Sequence, residues 1–180
     1  LRTLVSTVAH LAPLRLAVEF IDVRQYDAPF TGFLNKDAVD AAELLQLHVG
    51  FEAEDVLAPG DRLDLVLGRQ TRDLGSRRFL ARNRYRNTIN HFTSFYGEWE
   101  SAGNTVITGF FLFPIRILPR DRPSLQDNDI QWNEEQWGTQ FFGLHGDVPL
   151  DDQRRAEAFV FGLDEDDRGG VGTRDRRLWT

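Results

Sequence analysis

Residues 14–20 read Leu-Arg-Leu-Ala-Val-Glu-Phe, and their alternation decides the fold. Successive side chains of a strand point to opposite sides, so Leu14, Leu16, Val18 and Phe20 share one face. Arg15, Ala17 and Glu19 share the other. The pattern returns at Leu45, Leu47, Val49 and Phe51, opposite Gln46, His48, Gly50 and Glu52. It returns again at Leu63, Leu65 and Leu67, opposite Arg62, Asp64, Val66 and Gly68. Further strands are expected at 2–10, 90–100, 105–114, 136–145 and 155–164, where both faces carry apolar residues. Residues 174–180 stand where one more strand would begin. Helix signals are poor; residues 37–47 offer at most an opening helical turn before strand alternation takes over.

The connections sort themselves by length. Tight turns are expected at 11–13, 58–60, 101–104 and, a little longer, 146–153. Long loops are expected at 27–40, 71–89, 115–135 and 165–174. Short and long alternate through four successive hairpins. A soluble sandwich has no physical reason to sort its loops this way. An up-and-down barrel in an outer membrane does, with short turns on one side and long loops on the other. The fold class expected is therefore all-β: part of an antiparallel up-and-down transmembrane β-barrel, about eight strands, with residues 1–180 belonging to one barrel domain.

Composition narrows the alternatives. Without cysteine, disulfides and thiolate metal sites are excluded. Aromatics at 12%, with Phe 14, point to an ordered chain. The chain begins at Leu1 and holds no methionine, which points to a processed protein or a fragment whose signal peptide would lie upstream. The longest nearly apolar run, 109–118, is broken by Pro114 and Arg116, so no stretch approaches the ~20 apolar residues of a membrane-spanning helix.

Against a net charge of −7, residues 68–90 (GRQTRDLGSRRFLARNRYRNTIN) stand out as basic. They hold Arg69, Arg72, Arg77, Arg78, Arg82, Arg84 and Arg86, with Asp73 the one acid. Arginine is also the general base here, since Lys36 is the only lysine among 21 basic residues. Guanidinium groups grip carboxylates two-pronged, so the cluster is a candidate site for an anionic partner.

The same stretch carries a resemblance. GRQ, then G-S-R-R-x-L, A-R-N-R and R-N-T-I-N, resembles the alginate-export family of Gram-negative outer-membrane β-barrels. The likeness extends to the hairpin at 11–14, to 110–114 and to the strand ending at 161–167. It implies one large barrel of on the order of eighteen strands, wide enough for an aqueous channel. It implies no catalysis and no cofactor, a uronate polymer as the anionic polysaccharide exported by facilitated diffusion, outer-membrane lipid around the wall, periplasmic secretion partners, and no nucleic acid. The pore-lining role falls by resemblance on the seven arginines. Two departures stand beside it. Asn87-Thr-Ile-Asn-His91 replaces the Phe-Asp-Gly turn of many members. Strict alternation also sends Arg69 to the face of Leu63, Leu65 and Leu67, unless a bulge at Gly68 re-aims it; otherwise it snorkels at the membrane interface.

Other constellations have simpler readings. Glu98 and Glu100 share a strand face as glycosidase carboxylates would, but polar lumen residues do so too. His10, His48, His91 and His145 are scattered without zinc spacing. The acidic run at 164–167 offers oxygen ligands for calcium, or a solvated loop. Gly169-Gly-Val-Gly172 follows no strand and opens no helix, unlike a phosphate cradle. Trp99, Trp132, Trp137 and Trp179 fall near expected strand ends, as in an interfacial belt. The competing functional readings are a porin-like channel for small anionic solutes, and a soluble β-sheet carbohydrate-binding or carbohydrate-processing protein.

Overall fold

The alternation at 14–20 is part of a ten-residue strand, and the rest of the chain follows its pattern. A computed structural model describes residues 1–26, 34, 37–83, 85–167 and 174–180. Its strands are β1 (Arg2–Leu11), β2 (Leu14–Val23), β3 (Asp40–Glu54), β4 (Arg62–Gln70), β5 (Phe92–Glu100) and β6 (Val106–Arg116). A short helix α1 (Arg122–Asp127) and the two-residue β7 (Glu134–Glu135) precede β8 (Thr139–Pro149), β9 (Arg155–Glu165) and β10 (Arg176–Trp179). Each long strand pairs antiparallel with its sequence neighbour, in the order β1-β2-β3-β4-β5-β6-β8-β9-β10, and β7 extends the end of β6. The sheet is open, with β1 and β10 at its edges. Short turns and long loops fall at opposite ends of it, as the loop lengths required.

The two faces differ in what they expose. In register, Leu14 lies across from Phe51, Phe51 from Leu65, and Leu67 from Phe95, which in turn faces Phe111. This face exposes Leu14, Leu16, Phe20, Leu47, Val49, Phe51, Leu67, Phe95, Ile107, Phe111 and Leu144 as one apolar band. The other face buries polar groups, among them Glu19, His48, Ser94, Thr108 and His145. So extended an exposed apolar band is what a soluble protein avoids. An apolar band on strands of nine to eleven residues is what lipid requires of a barrel wall.

Three local outcomes differ from the sequence pattern. Glu19 pairs with Gln46 but Phe20 with Leu44, so Leu45 is an extra residue in β3. That bulge turns Leu45 off the outward apolar row and seals it against Ile21, Val23 and Ile89. No helical turn opens β3; a turn and bend at 37–38 lead directly into the strand. Helix α1, which apolar periodicity did not announce, is closed by end groups: the Asp121 side chain accepts from the Ser124 amide, and Asn128 ends it in left-handed geometry. The tryptophans divide. Trp137 packs edge-on to Phe113 at the long-loop end, while Trp99 donates to Asp61 at the short-turn end. Trp179, the last residue of β10, packs on Phe142 and stands opposite Gly162.

Candidate functional site

The site is built by one loop. Residues 71–91 leave β4, fold back over the polar face and return to β5. Two leucines hold them there: Leu74 and Leu80 are buried with Val66, Tyr96, Phe110, Leu112 and Phe161, all on the inner side of the strands. Phe79 adds edge and tilted contacts to Phe161 and Phe159, at centroid distances of 5.1 and 5.4 Å. The loop closes on itself through the Leu74 amide donating to the Leu80 carbonyl, and the Arg82 amide donating to Asp73. Gly75 makes the close approach possible. Its φ of +49° is left-handed, and a Cβ there would lie 2.8 Å from His145 Nε2.

The six described arginines of this cluster, so closely spaced in sequence, are dispersed in space. Arg82 donates two-pronged to Glu19, at 3.0 and 2.8 Å, and also to Thr71 Oγ1 at 2.7 Å. Arg72 lies 4.4 Å over the Tyr96 ring, donates to Gln70 and sits 4.0 Å from Asp64. Arg77 pairs with Asp73, and Arg86 with Asp37. Arg78 is exposed and has no ion-pair partner among the described residues. Arg84 lies outside the described residues.

Arg69 goes the other way. β4 keeps unbroken register with both neighbours, Arg69 standing opposite Leu47 and Thr93, so no bulge re-aims it. It stays on the outward face at the long-loop end, where it bonds Glu43 at 2.6 Å and Glu135 at 2.8 Å. Glu43 also accepts from the Asn133 amide, and Asn133 Nδ2 donates to Asp40. Arg69 is therefore the knot of a rim network that ties the β6–β8 loop to β3. The adjacent Gly68, at φ +127°, leaves the Leu47 carbonyl only 2.4 Å from where a Cβ would be.

Arg72 and Arg82 do meet, and they meet a residue the arginine cluster does not contain. Together with Arg15 they edge a concave pocket of about 520 Å³ on the polar face, floored by His48 and Gln46. Arg15 comes from β2, pairs with Glu52 and holds both oxygens of Asp64 at 3.1 Å. Its only sequence signal is a charge on the polar side of an alternating strand. The pocket is consequently an arginine lattice interleaved with carboxylates rather than a bare positive ring. Such an arrangement fixes each guanidinium in place and lets an incoming carboxylate compete for it.

Several other acids are engaged elsewhere. Glu98 accepts from the Tyr96 hydroxyl and Glu100 from Arg62. Asp164 and Glu165, in the acidic run, pair with Arg177 and Arg176 across β9 and β10. The glycine run at 169–172 lies outside the described residues.

A family model described as alginate export matches residues 2–175. The chain belongs to the alginate-export family. That assigns it to a transport family and fits the open antiparallel wall with its outward apolar band. No curated protein and no solved structure matches the alginate-export chain.

Proposed function

We propose that this chain is part of the wall of an outer-membrane β-barrel through which an anionic polysaccharide, alginate or a similar polyuronate, leaves a Gram-negative cell by facilitated diffusion. The observation that carries the reading is the folding of the arginine loop onto the polar face, away from the lipid-facing band. Arg15, Arg72 and Arg82 edge the pocket there, and Arg77 and Arg78 are exposed on the loop above the sheet. Arg86 contributes at the long-loop end, and Arg84 joins the proposal by its place in the sequence. Arg69 serves the rim instead.

No bond is made or broken. Fixed positive charge raises the local concentration of polyanion inside a water-filled path. Each uronate carboxylate exchanges places with a resident acid such as Asp64 or Glu19 on a pre-oriented guanidinium. The exchange keeps each contact weak enough for the polymer to move on. A soluble carbohydrate-binding protein would have to leave the apolar band in water, which counts against that reading.

Planar-bilayer recording of the whole protein under a salt gradient tests the proposal. The wild type is expected to prefer anions and to be blocked transiently by uronate oligomers. Replacing Arg72, Arg78 and Arg82 together by glutamine moves the reversal potential toward zero and shortens the blocks. At about 1 M salt, where the Debye length is roughly 3 Å, the native preference shrinks too. Anion preference without oligomer block marks a small-anion porin. An unchanged reversal potential in a correctly inserted variant removes the mechanism.

A further inference from the structure

A second basic recess lies apart from the arginine pocket, at the long-loop end of the polar face. It measures about 100 Å³ and is bordered by Arg86, Arg116 and Arg120, with Asn90, Gln136 and Asp37 completing its polar edge. Arg116 is the last residue of β6, in step with Leu112 and Pro114 on the inner row. It is the charge that interrupts the apolar run at 109–118. Its Nε is sealed from solvent and has no hydrogen-bond partner. Glu134 stands opposite Arg116 in register yet forms no ion pair with it. Neither Arg116 nor Arg120 has an ion-pair partner among the described residues. Asp37, the acid at the recess, is bonded to Arg86. Arg2 adds a further positive charge, donating to the Arg86 carbonyl.

Three guanidinium groups around so small a space, with one of their N–H donors buried and unmet, are unfavourable as they stand. Like charges repel, and an unsatisfied buried donor costs its full desolvation penalty. An oxyanion answers the repulsion, accepting from the guanidinium nitrogens that border the recess. It brings the opposite charge and two or more acceptor oxygens, and a volume equal to about three waters, at ~30 Å³ each, accommodates it.

We propose that this recess binds an oxyanion group, carboxylate or phosphate, and that the bound anion couples the β4–β5 loop to the β6–β8 loop. Arg86 and Asn90 belong to the first loop, Arg120 and Gln136 to the second, and Arg116 stands at the root of the second. The Ile115 amide, which donates to the His91 carbonyl at 3.3 Å, already joins the two loops beside the recess. The site does not depend on polymer export; a carboxylate or a phosphate satisfies it alike.

Amide hydrogen exchange on the whole protein in detergent tests it, in phosphate, galacturonate or chloride at equal ionic strength. With ligand at about ten times its dissociation constant, exchange at Ile115 and Gln136 slows roughly tenfold relative to chloride, because opening must release the anion. Slowing by phosphate and galacturonate alike supports a general oxyanion site. Slowing by one alone also supports the site and identifies the source. The Arg116→Gln variant loses the effect. The exposed Arg120→Gln variant, which leaves the strand intact, weakens it and serves where the first does not fold. Equal rates in all three salts, or undiminished slowing in both variants, overturn the proposal.

Discussion

At the scale of single residues, Arg69 shows that a shared sequence cluster does not imply a shared job. Glu43 is 1% exposed and depends on Arg69 for its counter-charge. Removing one partner of a buried pair leaves the other uncompensated, at a cost of about 3–5 kcal/mol. Arg69→Gln is thus expected to lower resistance to heat or urea by about that amount while leaving anion selectivity unchanged, whereas Arg72→Gln does the reverse. Unfolding curves and reversal potentials on the two variants separate the roles. His91, in the loop just before β5, gives a pH prediction. Burial holds its pKa down to about 4 from an ordinary 6.5, against the Ile89 carbonyl, which works the other way. Between those values the unfolded chain binds a proton that the folded pocket refuses. The stability contribution is therefore complete above about pH 6.5 and falls as the pH drops toward 4. At about 1.4 kcal/mol per pH unit the loss reaches roughly 3 kcal/mol. Exchange at the neighbouring loop amides should accelerate over that window, and His91→Gln should flatten the response.

At the scale of elements, the arginine loop is held by a few apolar contacts rather than by regular hydrogen bonding. Leu74→Ala or Leu80→Ala removes a buried anchor worth about 2–5 kcal/mol. The predicted outcome is a loop that proteases cut within 71–91 while the strands stay intact, with channel current growing noisier as the loop leaves the polar face. Uncut loops in both variants would show that the aromatic contacts of Phe79 suffice. The turn between β3 and β4 is organised differently. The Asp61 carboxylate accepts from Trp99 Nε1 and from the amides of Val56, Leu57 and Ala58. These bonds, that from Trp99 foremost, hold its pKa below the usual carboxylate range. Asp61→Ala is expected to speed exchange at those three amides and to leave the arginine pocket untouched.

At the scale of the whole molecule, the open sheet and its outward apolar band govern behaviour. Every backbone group in lipid must be paired, so these strands are stable in a membrane only within a closed wall. The whole protein is expected to fractionate with outer membranes and to migrate differently on gels before and after boiling. Residues 1–180 alone keep two open edges and an uncovered apolar band, which invite association. Light scattering should find that piece aggregated in water; a monodisperse, cooperatively melting monomer would contradict the barrel wall.

The amino-acid sequence by itself determined the strands, their order and, where alternation is clean, the two faces. A period of two is a property of the extended backbone, and in an up-and-down sheet neighbours in sequence are neighbours in space, so local pattern propagates to global topology. Loop lengths likewise reported which end of each strand they joined. The tertiary structure alone decided where the charges went. The bulge at Leu45 reversed the facing that alternation gives it, and the unbroken register at Gly68 kept Arg69 on the side alternation gives it rather than letting a bulge re-aim it. Arg15 with Asp64, Arg82 with Glu19 and Arg69 with Glu135 are partnerships across 49, 63 and 66 residues. Loop residues have no repeating hydrogen bonds to impose a period, so nothing in their spacing encodes which carboxylate each guanidinium will reach once the apolar anchors have set the loop down.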